Sequence, residues 1–118
     1  MASEAEIRNG ALRMLGVIDI GDDASTDAPD DDTYMTQKYS EVYAALKKEG
    51  MAYWASGGAI PDEYSPHVQA LCAFFSTDDY SISSERLQRI QGKTRVAWRE
   101  IRKLGTPQHE STDKPKDY

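Results

Sequence analysis

The chain has 118 residues, 39% of them hydrophobic and 29% charged, with a formal net charge of −6. That length fits one domain, burying roughly two thirds of the surface its unfolded form exposes, and holds no run of the ~18 apolar residues that a membrane span needs. A single cysteine, Cys72, excludes an internal disulfide and a metal site built on several thiolates.

The opening Met1-Ala2-Ser3-Glu4-Ala5-Glu6 is acidic and lacks the apolar segment of a secretory signal, so synthesis in a reducing cytoplasm is expected. Ser3 with Glu6 forms a capping box, in which each side chain bonds the other's backbone N–H. It starts a helix that runs to about Leu15. Ile7, Ala11, Met14 and Leu15 recur on one face of it. Gly10 weakens that helix by up to about 1 kcal/mol relative to Ala, which points to close packing there. Gly16 fits the position just past the helix end. Val17 to Ala28 reads as a loop.

Pro29 suits a first helical turn, and Asp30, Asp31 and Asp32 suit the positive end of the helix dipole. The stripe Met35, Tyr39, Val42, Tyr43 and Leu46 carries this second helix to about Glu49, with Lys47, Lys48 and Gly50 closing it. Met51-Ala52-Tyr53-Trp54 is apolar and Ser56-Gly57-Gly58 breaks the chain. This piece reads equally as a helical extension, a short strand or a flat segment. Ser65-Pro66 predicts the cap of a third helix. Val68, Leu71, Cys72 and Phe75 share one of its faces, and it ends near Asp79-Tyr80. As the least polar segment it is expected at the centre.

After the turn 81–84 a fourth helix runs to about Leu104, with the stripe Leu87, Ile90, Thr94, Ala97, Trp98, Ile101 and Leu104. Gly105-Thr106-Pro107 is expected to stop it. The remainder, to Tyr118, has too little apolar surface for a core and is expected to order only on a partner. The predicted fold is all-α: a small four-helix bundle with a long basic C-terminal helix and an extended tail, divided into a helical domain 1–105 and a tail 106–118.

Charge is distributed unevenly. Residues 1–83 hold 5 Lys/Arg against 15 Asp/Glu, residues 84–104 hold 7 against 2, and residues 105–118 hold 2 against 3. The overall acidity argues against a general nucleic-acid binder. One basic helix against an acidic remainder can complement itself head to tail. Arg86, Arg89 and Lys93 form one row on that helix, and Arg95, Arg99 and Arg102 a second. The rows flank the apolar stripe, as in a packed helix whose edges meet acidic elements of this chain or a sister chain.

Catalytic and metal constellations fail on spacing. Asp30-x-Asp32 with Glu41 has the outline of a calcium loop, but Tyr34 and Met35 stand where an oxygen ligand and a glycine are required. His67 and Cys72, five apart on one helix, point to different faces, so they make a poor nucleophilic pair. Cys72 reads as a buried structural residue. Two histidines, His67 and His109, have no partner cluster for a metal. Ser56-Gly57-Gly58-Ala59 lacks the spacing and the lysine of a phosphate loop. No enzyme and no cofactor is expected.

The order of these features resembles the head–tail adaptor proteins of tailed bacteriophages, a family of head-completion and tail accessory factors also found in gene transfer agents. The resemblance lies in Gly10-Ala11-Leu12-Arg13-Met14-Leu15-Gly16-Val17 followed by an acidic loop, and in the amphipathic helix ending in an aromatic and glycine stretch, Tyr39 to Trp54. It continues in the alanine-rich Ala70-Leu71-Cys72-Ala73 before Asp79-Tyr80, and in the long basic last helix. It covers about residues 3–104, and the long insertions of some members are absent.

The resemblance implies a non-enzymatic virion protein at the head–tail junction, made in the host cytoplasm. There it would form a homo-oligomeric ring of twelve copies between the portal protein and a downstream tail or stopper protein. DNA would pass through the lumen unbound, and no membrane is involved. Arg99, Arg102, Lys103, Lys114, Lys116 and Tyr118 are the expected contacts to the portal or a neighbour, and Tyr53 and Trp54 the expected contacts on the tail side. The 53–61 stretch reads equally as a lid on the core. The competing class is a DNA-associated regulator or small packaging subunit using the basic helix 84–104, which predicts salt-sensitive duplex binding. A free-standing bacterial interaction domain is a third reading.

Overall fold

The computed structural model describes residues 1–113 apart from Tyr53 and Ser56, and only the backbone of residues 105–113. Its elements are α1 (Glu4–Leu15), α2 (Ala24–Asp27), α3 (Pro29–Lys48), α4 (Ser65–Phe75) and α5 (Ser84–Asp113). The protein is all-α, and no β-strand forms among the described residues.

Local chemistry sets most of the helix ends. The Ser3 hydroxyl accepts from the Glu6 N–H at 3.2 Å, and the Glu6 carboxylate accepts from the Ser3 N–H at 2.9 Å, completing the capping box. Gly16 closes α1 at φ 81°, in the left-handed region that a side chain disfavours. Pro29 opens α3 with three aspartates in its first turn, and Lys47 and Lys48 occupy its last.

The predicted boundaries need correction at several places. The 17–28 loop contains the short α2, because the Asp23 carboxylate accepts from the Ser25 N–H at 3.0 Å and caps a turn. Helix α4 begins one residue past its cap at Tyr64 and stops at Phe75, short of the expected Asp79. There the Ser76 and Thr77 hydroxyls donate to the Cys72 and Phe74 carbonyls, drawing the chain into a turn. Helix α5 continues to Asp113, so the backbone of residues 106–113 is helical where an extended tail was expected. Gly105 and Pro107 weaken a helix, but proline's fixed φ is itself helical, so they do not forbid one.

Helix α4 is the hub, as its composition predicts. Val68, Ala70, Leu71, Cys72 and Ala73 are all buried, and α4 packs against α1, α3 and α5. Helices α3 and α5 do not pack on each other, so α1 and α4 form a middle layer between them. Ile7, Leu12, Met35, Leu46, Leu71, Ile90 and Ile101 are among the fully buried side chains. Each contributes about 1.5–3 kcal/mol by leaving water. Where α1 meets α4, a Cβ at Gly10 would stand 1.9 Å from Gln69 Oε1, so a larger residue there would have to turn the Gln69 amide aside.

Between α3 and α4 the chain returns to the start of α1 at Gly57 and Ile60. Ala2 and Ile60 exchange backbone hydrogen bonds of 2.9 and 2.7 Å, and the Gly57 N–H donates to the Glu4 carboxylate at 2.7 Å. At the other end of α1, the Arg86 guanidinium of α5 crosses Gly16 and donates to the Met14 and Arg13 carbonyls at 3.0 and 3.4 Å. Both carbonyls belong to the last turn of α1, where intrahelical partners run out, and the Arg13 carbonyl also accepts from the Gly16 N–H at 3.0 Å. Arg86→Ala is expected to lower the unfolding free energy by about 1–2 kcal/mol, read from the midpoint of urea denaturation.

Candidate functional site

The exposed sides of α5 carry the strongest candidate surface. Ile90, Thr94, Ala97 and Ile101 face inward, while Arg89, Lys93, Arg95, Arg99, Arg102 and Lys103 are exposed. Of these cations, expected to meet acidic elements of this chain or a sister chain, two find a carboxylate on α5 itself. Arg99 and Lys103 pair with Glu100 of the same helix, at 3.8 and 3.6 Å. The Arg102 guanidinium lies 5.6 Å from the Trp98 ring centre. Among the described residues, Arg89, Lys93 and Arg95 have no carboxylate partner within 4.0 Å. The flanking rows leave part of the charge unmet because the helix packed alongside, α4, has no acidic residue.

Of the expected portal or neighbour contacts, Arg99, Arg102 and Lys103 therefore lie together on the exposed distal part of α5. Lys114, Lys116 and Tyr118 lie outside the described residues, as does Tyr53. Trp54, expected on the tail side, is instead 6% exposed and belongs to the core. Its indole N–H donates to the Tyr39 hydroxyl at 3.1 Å, and its carbonyl accepts from the Tyr43 hydroxyl at 2.6 Å. The Trp54 ring also lies 5.1 Å from that of Tyr64. Both polar handles of the tryptophan are satisfied inside, so nothing draws it to the surface.

Beside α5 lie two open depressions of about 510 and 340 Å³ that sequence reading alone does not reveal. They are lined by residues of α1, α4 and α5, including Met14, Gln69, Arg89 and Lys93 in both. No carboxylate lines either one among the described residues. Arg13 enters the smaller depression. Its Nη2 donates to the Asp22 carbonyl at 3.2 Å, while its buried Nε has no acceptor. Gly92 lines the larger one, and nothing lies within 4 Å of where its Cβ would stand. Glycine inside a helix costs about 1 kcal/mol relative to alanine, and no neighbour among the described residues requires it there. A glycine inside a predicted basic helix was the one signal of this surface in the sequence.

The acidic side of the molecule is ordered by tyrosines. Tyr80 donates to the Asp31 carboxylate at 2.8 Å and Tyr34 donates to Asp79, holding the 76–80 turn against the first turn of α3. Burial, followed by the hydrogen bond to Asp79, pushes the Tyr34 phenol up to about 12. Burial with the Asp31 contact raises Tyr80 likewise. Arg8 pairs with Asp32 at 2.9 Å, while Asp30 and Asp78 stay exposed.

Cys72 is buried, and desolvation raises its thiol well above the ordinary value, which opposes a nucleophilic role. Among the described residues no three His, Cys, Asp or Glu side chains gather to hold a metal ion. Nor is any helix long and apolar enough to cross a membrane.

Comparison with protein-family models, with curated proteins and with solved structures finds no match to this chain.

The burial of Trp54 carries a direct consequence. Trp54→Ala is expected to cost about 3–5 kcal/mol in chemical denaturation. Tyr39→Phe, which strips the indole N–H of its acceptor, is expected to cost about 1–3 kcal/mol.

Proposed function

We propose that this chain is a structural assembly protein of the head–tail adaptor kind. It would form a ring between the portal and the tail of a bacteriophage or gene transfer agent and prolong the DNA channel. The observation that supports this reading is the separation of charge across the α1–α4 layer. Residues 19–32 hold seven aspartates and no Lys or Arg, and three of them, Asp30, Asp31 and Asp32, form the first turn of α3 on one side of the layer. The basic α5 lies on the other side. A molecule with unlike charges on different faces can associate head to tail, one face against a different face of the next copy, and such contacts close into a ring where the rotation between copies closes.

The same layout suits the passage of DNA. Acidic surface along a lumen repels a duplex and lets it slide, whereas a chain of net charge −6 gains little from phosphate contacts elsewhere. The cations on distal α5 would face the portal or a neighbouring copy. Use of α5 as a duplex-binding helix has less support, because the chain as a whole is acidic and Arg86 is committed to the end of α1.

Quantitative mass spectrometry of purified particles from the source strain, scaled to the portal protein, checks this reading. The expected result is about one copy per portal subunit, the stoichiometry of a closed ring docked on a ring. Absence of the chain from the particles contradicts it.

A further inference from the structure

The depressions beside α5 share four lining residues and form one groove between α1, α4 and α5. Its floor is apolar around Met14, Ala70 and Val96, and its rim is cationic through Arg86, Arg89 and Lys93. Independent features point to an occupant from outside the chain. Gly92 leaves space on the groove wall that nothing among the described residues fills, and Val96 is 41% exposed to water. Arg89 and Lys93 have no carboxylate within reach among the described residues.

We infer that this groove receives the acidic end of a second copy of the same chain, a contact that presupposes the head-to-tail assembly proposed above. In this arrangement the exposed Pro29 sits over the apolar floor. Asp30, with Asp78 of the adjoining turn, faces Arg89 and Lys93. The two partners are complementary in both respects: apolar surface meets apolar surface, and exposed carboxylates meet a rim without any. The acidic end cannot fill its own groove, because α3 and α5 are held apart by the α1–α4 layer. The contact is therefore between molecules. Since knob and groove are different surfaces, it propagates as a ring or filament and does not close as a two-fold pair.

The test uses the full chain at low ionic strength, with size-exclusion chromatography and light scattering. The variants are Arg89→Glu with Lys93→Glu, Asp30→Lys with Asp78→Lys, and Gly92→Leu, each first shown by circular dichroism to keep the wild-type helix content. The wild type is expected to associate. Each charge-reversed variant alone should associate at least about tenfold more weakly, and an equimolar mixture of the two should recover most of the loss. Gly92→Leu should weaken association by about tenfold with no change in charge. Wild-type association that both variants retain overturns the groove assignment while leaving head-to-tail assembly standing. Failure of the mixture to recover overturns the pairing of these two surfaces. A wild type that stays monomeric overturns the assembly reading and the groove contact together. Salt-sensitive binding of a short DNA duplex that the Arg89/Lys93 variant loses assigns the groove to nucleic acid and also overturns the inference.

Discussion

Helix α4 has to be covered on nearly every side, and the rest of the molecule is arranged by that requirement. Its buried run of Val68, Ala70, Leu71, Cys72 and Ala73 is apolar around most of the helix. A helix of that kind is stable in water only when neighbours surround it. Helices α1, α3 and α5 each supply one amphipathic stripe to it. Three stripes around one hub keep α3 and α5 apart. The charge asymmetry along the chain thereby becomes asymmetry in space, with aspartates leading into α3 and cations on α5.

Polar contacts then fix the ends that packing leaves loose. The capping box at Ser3, the Ala2–Ile60 backbone pair and the Glu4–Gly57 contact hold the N-terminal region against the 51–60 segment. Arg86 ties the other end of α1 to α5. The Tyr34–Asp79 and Tyr80–Asp31 bonds fasten the 76–80 turn to α3. These bonds leave Asp30 and Asp78 facing solvent, so the acidic end stays organised while keeping charge available to a partner.

Most of the fold was legible in the sequence because its signals are local. The Ser3–Glu6 box, Gly16, Pro29 and the stripes of α3 and α5 each depend on residues within a turn or two. Misjudged features depended on competition or on distance. The end of α4 is decided by hydroxyls competing for backbone carbonyls, and the length of α5 by a glycine and a proline that weaken helix without prohibiting it. Trp54 read equally as an interface residue and as part of a lid on the core, because its partners, Tyr39 and Tyr43, lie on the preceding helix and its burial depends on the chain folding back. The groove draws on α1, α4 and α5, so no single stretch announces it. Of the expected contact residues, Arg99, Arg102 and Lys103 share one exposed region, and Trp54 does not join them.

The central claim is that separated charge makes this molecule assemble head to tail. Sedimentation velocity of the full chain at about 0.02 M and about 0.5 M salt tests it most directly, because screening over a few ångströms removes attraction between exposed charges. The account predicts species larger than two copies at low salt and monomer at high salt. A monomer under both conditions, or a dimer of fixed mass indifferent to salt, would contradict it.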